Sequence, residues 1–130
     1  MIRILCVCKN EFYLRALEPF LHSRNILIAG ICKNPEDILA HFISAKADLI
    51  VMDANWYGHP LSGANILKEL LRQEERIKVI MVTNCAEGPL AARMKRLGAM
   101  GYFCRMTSSV EQIAQCITRV HEGHQCFVNT

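Results

Sequence analysis

Several short apolar runs end on residues able to do chemistry. Val51-Met52 leads into Asp53, Val79 to Val82 into Thr83, Gly101 to Cys104 into Arg105, and the first run, Arg3 to Cys8, into Lys9. A lone acid at a strand end often only caps or pairs. A carboxylate, a hydroxyl and a guanidinium on three successive strand ends are harder to dismiss as structural. Lys9 and Arg105 are expected to flank Asp53 as counter-ions, lowering its pKa so that it stays ionised well into acid. Cys6 and Cys8 share one strand face, where neighbours cannot close a normal disulfide. His121-x-x-His124-x-Cys126 has tolerable ligand spacing, yet it straddles a helix stop and lacks a fourth ligand. No Cys-x-x-Cys, Gly-x-Gly-x-x-Gly or P-loop occurs. Neither a metal nor a cofactor is expected.

The elements that must position these residues alternate between two periods. Arg3 to Cys8, Ile26 to Cys32, Asp48 to Asp53, Lys78 to Thr83 and Gly101 to Cys104 read as buried strands. The first helix starts at Glu11 with Tyr13, Leu14, Leu17, Phe20 and Leu21 on its apolar face, and Pro19 should kink it or open its last turns. Asn34-Pro35-Glu36-Asp37 gives an N-cap, a Pro at the first helical position and two acids at the positive dipole end. Ile38, Leu39, Phe42 and Ile43 should face the core of that second helix. After a loop from Ala54 to Gly63, Ser62 should cap a helix carrying Ile66, Leu67, Leu70 and Leu71. Gly88-Pro89 opens a fourth helix, whose Arg93, Lys95 and Arg96 read as a solvated face with Leu90 and Met94 beside them as a candidate partner surface. Ser108-x-x-Glu111 reads as the capping box of a fifth, which Gly123 should stop.

Five strands each followed by a helix require crossover connections, and strands that are continuous apolar runs are covered on both faces. The expected fold is α/β: a doubly wound five-stranded parallel sheet in the flavodoxin-like order 2-1-3-4-5, with no sixth strand and with ligands bound at the strands' carboxyl ends. A chain of 130 residues, 52% hydrophobic and 21% charged, is one globular unit, here residues 1–122 with 123–130 as a tail or the start of a linker. The net charge of +3 comes without a basic block and argues little for nucleic acid. No apolar stretch approaches the length of a membrane span, and the N-terminus lacks a signal-peptide pattern, so a cytoplasmic location is expected. The seven cysteines read as reduced core residues.

Val51-Met52-Asp53, Val79-Ile80-Met81-Val82-Thr83 and Leu97-Gly98-Ala99-Met100-Gly101-Tyr102-Phe103-Cys104-Arg105 resemble the receiver domain of bacterial response regulators over nearly the whole chain. The Gly-Ala-x-Gly-Tyr motif and the Gly123 ending are most similar to receivers that precede a LuxR-type helix-turn-helix. The resemblance implies that Asp53 is the phosphoacceptor, Thr83 the switch hydroxyl and Tyr102 the rotating aromatic. Arg105 stands where the family has a Lys that contacts the phosphoryl group. Without the resemblance, Tyr102 reads as a half-buried edge aromatic.

Two departures bear on function. Where the family has two adjacent acids after strand one, this chain has Cys8 and Lys9. Mg²⁺ takes hard oxygen ligands; a thiol is soft and an ammonium is no ligand. The loop after Asp53 has Tyr57 at the family's Pro position and Gly63 two places late, with Trp56, Tyr57 and His59 either crowding the rim or packing on the third helix. The expected function is therefore that of an atypical receiver, not an enzyme, working by protein–protein contact without Mg²⁺-dependent phosphorylation. Its implied partners are a second copy of the chain and a histidine kinase or other signalling protein. DNA would be reached only through a domain beyond Thr130, and a stand-alone receiver is the other option. Two rivals stand beside this reading. One is a working phosphoacceptor, phosphorylated on Asp53 by a histidine kinase, in which Glu11 or water replaces the acids. The other is a cofactor-binding flavodoxin-like protein, against which Cys8-Lys9-Asn10-Glu11 argues because it is not a Gly/Ser/Thr-rich phosphate cradle.

Overall fold

The computed structural model describes residues 1–56, 62–84 and 88–128. β1 (Ile2–Val7), β2 (Ile26–Cys32), β3 (Leu49–Asp53), β4 (Val79–Thr83), β5 (Gly101–Cys104) and β6 (Cys126–Phe127) form one sheet in the order β2-β1-β3-β4-β5-β6. Every pairing is parallel. The helices are α1 (Phe12–His22), α2 (Ile38–Ser44), α3 (Ser62–Gln73), α4 (Gly88–Arg96) and α5 (Val110–His121). This is the expected doubly wound order, extended by one strand: the tail carries β6, where the sequence reading ended the sheet at β5.

Strand alternation divides the core into two layers. Leu5, Val7, Ile50, Met52, Val79 and Met81 pack on the side of α2, α3 and α4. Ile4, Cys6, Cys8, Leu49, Val51, Val82 and Phe103 pack on the side of α1 and α5. The six described cysteines are free thiols, five of them buried, which matches their reading as small apolar core residues.

Several local expectations are corrected. Asn34 does cap, its Oδ1 accepting from Glu36 N at 3.2 Å, but Pro35–Asp37 forms a 3-10 turn before α2 proper. On α2, Ile38 is buried while Ile43 is 73% exposed, one residue before the helix ends at Ser44. Phe20 on α1 is likewise exposed. The helix runs through Pro19 to His22, with Ser23 N donating to the Pro19 carbonyl. Ser62 is the first residue of α3, and its Oγ accepts from Trp56 N. The capping box of α5 is Ser109 with Gln112, one residue on from Ser108 and Glu111. Leu90 and Met94 are core residues, so they do not form the outward surface that the spacing suggested.

Candidate functional site

The register of the sheet brings the chemistry-bearing residues to one edge. Val7 pairs with Met52, Asp53 with Val82 and Thr83 with Cys104, so the residues at or just past each strand's carboxyl end lie side by side. Alternation then sorts them. Asp53 continues the Leu49–Val51 side, which faces α1 and α5, and Cys8 is packed in that same layer. Thr83, 8% exposed, follows Val79 and Met81 on the opposite side of β4, the side on which Tyr102 is buried.

Asp53 and Arg105 form the central contact. Arg105 Nη2 donates to Asp53 Oδ1 at 2.7 Å, with side-chain exposures of 21% and 14%. Arg105 is anchored by its backbone N–H, which donates to the Thr83 carbonyl, and its guanidinium lies over the Tyr13 ring of α1 at 4.9 Å. A cation over an aromatic face is attracted by the ring quadrupole. The chain of contacts Asp53–Arg105–Tyr13 therefore ties β3, the β5–α5 loop and α1 together. Of the two flanking cations expected from sequence, Arg105 is the one that pairs with Asp53. Lys9 is exposed at the end of β1.

The expected acid shift of Asp53 is overturned. Its pKa is raised, because the cost of burying the charged form exceeds what the charge and hydrogen bond of Arg105 recover. Cys8 is 1% exposed, and burial, reinforced by the charge of Asp53, pushes its thiol up to about 11. It is therefore a neutral thiol near pH 7. Glu11, the rival replacement for the missing acids, points to cations instead, with Arg15 at 3.8 Å and Lys33 at 3.7 Å.

These donors do not suit a hard divalent cation. Beside the Asp53 carboxylate, Cys8 contributes a buried neutral thiol, the next residue is Lys9 rather than an acid, and Asp53 Oδ1 already accepts from Arg105. Among the described residues no group of three His, Cys, Asp or Glu is placed to hold a metal ion, His121, His124 and Cys126 included.

Trp56 is 1% exposed and packs in the α2–α4 layer with Ala64 and Leu67 of α3, which answers whether it crowds the rim or joins the core. Tyr57, His59 and Cys85 lie outside the described residues. Two contributors escaped the sequence reading. Tyr13 was legible only as a core-facing helix residue. Gly63 was read as a displaced loop glycine, but a Cβ there would lie 2.6 Å from Ala54 Cα and 2.7 Å from the Asp53 carbonyl oxygen. Gly63→Ala is expected to destabilise the fold by about 2 kcal/mol, since backbone rather than a pliable side chain must give way. Urea melts measure it, and parent-like stability would mean that the α3 start does not brace Asp53.

Comparison with known proteins gives a consistent picture. The response regulator receiver domain model matches residues 4–117. The response regulator GacA of Pseudomonas aeruginosa is 29% identical over 126 residues, covering 96% of this chain and 58% of its own length. The response regulator UvrY of Escherichia coli is 25% identical over the same span, covering 56% of its length. The chain thus spans under two-thirds of these relatives. Among solved structures, the isolated REC domain of RcsB from Salmonella enterica serovar Typhimurium superposes with a TM-score of 0.82 at 11% identity, covering 98% of this chain and 94% of that one. A LuxR-family two-component response regulator from Aurantimonas gives 0.83 at 16% identity, covering 95% and 87%. At such identities these structures establish the fold alone.

Proposed function

The chain belongs to the response regulator receiver domain family, and from that premise we propose that it is an atypical receiver, acting through protein–protein contact without Mg²⁺-dependent phosphorylation of Asp53. Receiver domains of this family serve response regulators in two-component signalling and are not in general enzymes. The observation that carries the reading is the company of Asp53: a buried thiol at Cys8 where an acid would share the charge, with Arg105 already 2.7 Å from the carboxylate. An aspartyl phosphoryl transfer needs its developing charge neutralised by a metal ion, and this donor set offers none a home. Asp53, Thr83 and Tyr102 keep their places but would not be worked by phosphorylation.

A receiver that is not switched must already hold its working surface. The proposed partners are a second copy of the chain and a histidine kinase or another signalling protein, with DNA reached only through a domain beyond residue 130. Exposed Phe20 on α1, beside the ion pair from Arg24 in the turn after α1 to Glu111 of α5, supports the face of the first and last helices as a dimer contact. We infer a receiver unit of residues 1–122 followed by a tail, 123–130, whose residues 126–127 return to the sheet as β6, and a cytoplasmic location from the family. No described helix is long and apolar enough to cross a membrane.

Acetyl phosphate with Mg²⁺, followed by intact mass, tests the reading. The expected result is no covalent phosphate on the parent chain and no change in its sedimentation. A Mg²⁺-dependent mass gain that Asp53→Asn abolishes would establish instead the working phosphoacceptor that retained Asp53 and Thr83 allow.

A further inference from the structure

Without three residues of the tail, β5 would be the bare edge of the sheet, a row of unpaired backbone donors and acceptors that folded proteins normally cover. Cys126 N donates to the Met100 carbonyl at 2.9 Å and Val128 N to the Tyr102 carbonyl at 2.8 Å. The side chains alternate as a true strand requires. Cys126 and Val128 pack into the α1–α5 layer, and Phe127 packs into the α2–α4 layer. Phe127 stacks on Tyr102 with ring centroids 6.3 Å apart and planes 11° apart, and Lys95 Nζ lies 5.5 Å from the Phe127 centroid. The acceptor edge is shaped for this visitor. A Cβ on Gly101 would come within 3.1 Å of the Cys126 carbonyl oxygen, closer than ordinary van der Waals contact, so glycine lets the incoming strand approach.

We propose that the β5 edge is a strand-acceptor site, held in cis by residues 126–128, and that its partner in trans is an extended peptide segment with an aromatic residue between two small or β-branched ones. The cis occupant defines that chemistry. Backbone bonds to Met100 and Tyr102 supply sequence-independent grip, and the slot between Tyr102 and Lys95 selects the aromatic ring, which is the usual division of labour when a peptide adds a strand to a sheet. The occupant is also displaceable: only two of its residues are paired with β5, all three are half-buried, and a four-residue connection of exposed residues, 122–125, joins it to α5. Short elements with few buried contacts open at the low end of a protein's stability range. The proposal is independent of whether Asp53 is phosphorylated, since neither residue of the slot touches the Asp53–Arg105 pair among the contacts described.

The test uses the full chain, a synthetic peptide of residues 123–128 carrying Cys126→Ser, and amide exchange and chemical shifts as readouts. Phe127→Ala should speed exchange of the Cys126 and Val128 amides by about tenfold, the size expected for losing one aromatic stack. The peptide should then shift the amides of Gly101 to Cys104 in the Phe127→Ala chain and do so far more weakly in the parent, whose edge is filled. The same peptide with alanine in place of phenylalanine should leave both unmoved. Phe127→Leu, which keeps an apolar side chain and loses the ring, should fall between Phe127→Ala and the parent, and Phe127→Tyr should exchange like the parent. Unchanged exchange in both Phe127→Ala and Phe127→Leu, an equal response to the two peptides, or no response to either would overturn the proposal.

Discussion

Arg105→Ala is expected to cost about 2 kcal/mol of folding stability at pH 7, the largest loss of any single charge removal among the described residues. Breaking a buried ion pair costs roughly 3 to 5 kcal/mol when an uncompensated charge is left behind. Two observations reduce that figure here. The pair is partly open to water, at 21% and 14% side-chain exposure, and Arg105 Nε is already buried without a hydrogen-bond partner, so its removal relieves a penalty as well as causing one. The pH dependence separates this account from simple loss of packing. Asp53 already has a folded pKa above its unfolded value of 3.8, so its contribution to stability is fully present below that value and is lost as pH rises through the folded one. Taking Arg105 away removes the two influences that lower the folded pKa and widens the gap. The deficit of Arg105→Ala should therefore shrink as pH falls below the folded pKa of Asp53 in the variant. Adding Asp53→Asn should recover much of the loss at pH 7, because the neutral amide carries no buried charge. Melts of the three variants at pH 7 and pH 4 measure both effects. A deficit that is the same at both pH values would show that Arg105 only fills space.

What the sequence could and could not reveal about this site follows from range. β2 and β5 agree with their expected ends because an apolar run bounded by polar residues is a local signal. The α5 capping box slipped by one because Ser108-Ser109 and Glu111-Gln112 fit the same spacing in two registers. The choice is made from far away, by Arg24 in the turn after α1, which takes Glu111 at 2.7 Å, and by the turn in which Ser108 N donates to the Cys104 carbonyl. β6 was invisible because two paired residues carry no periodicity, and their partner strand lies more than twenty residues earlier. At Asp53 the neighbouring cation was legible from strand order, but the direction of the pKa shift was not. It depends on burial, and burial is set by α1, α5 and Tyr13 closing over the strand end. The two carboxylates missing after β1 were the most legible feature of all, since residue identity at positions 8 and 9 needs no folding to be read.

Those two positions give the second large effect. Restoring acids there with Cys8→Asp and Lys9→Asp, together with Arg105→Lys, should create a Mg²⁺ site that the parent lacks, and the new site should appear as a thermal shift. Without metal the triple variant places up to three carboxylates at one strand edge, one of them at the 1%-exposed position of Cys8, and both burial and mutual repulsion work against ionisation. Its melting temperature should fall below that of the parent. Mg²⁺ binds only the folded form of such a site, so at a hundred times its dissociation constant it stabilises by about 2.7 kcal/mol. In a domain of this size that corresponds to roughly 10 °C. The parent, offering Mg²⁺ a thiol, an ammonium and a carboxylate already paired with Arg105, should not shift under the same conditions. The single tryptophan, Trp56, lies three residues beyond Asp53 and is buried against α3, so its fluorescence gives a second readout of the same titration. If the parent itself responds saturably at submillimolar Mg²⁺, the Arg105 pair does not exclude metal and the contact-only reading fails. If the triple variant shifts and then also takes phosphate from acetyl phosphate, the residues at positions 8, 9 and 105 together are sufficient to explain a receiver that keeps its aspartate and no longer uses it.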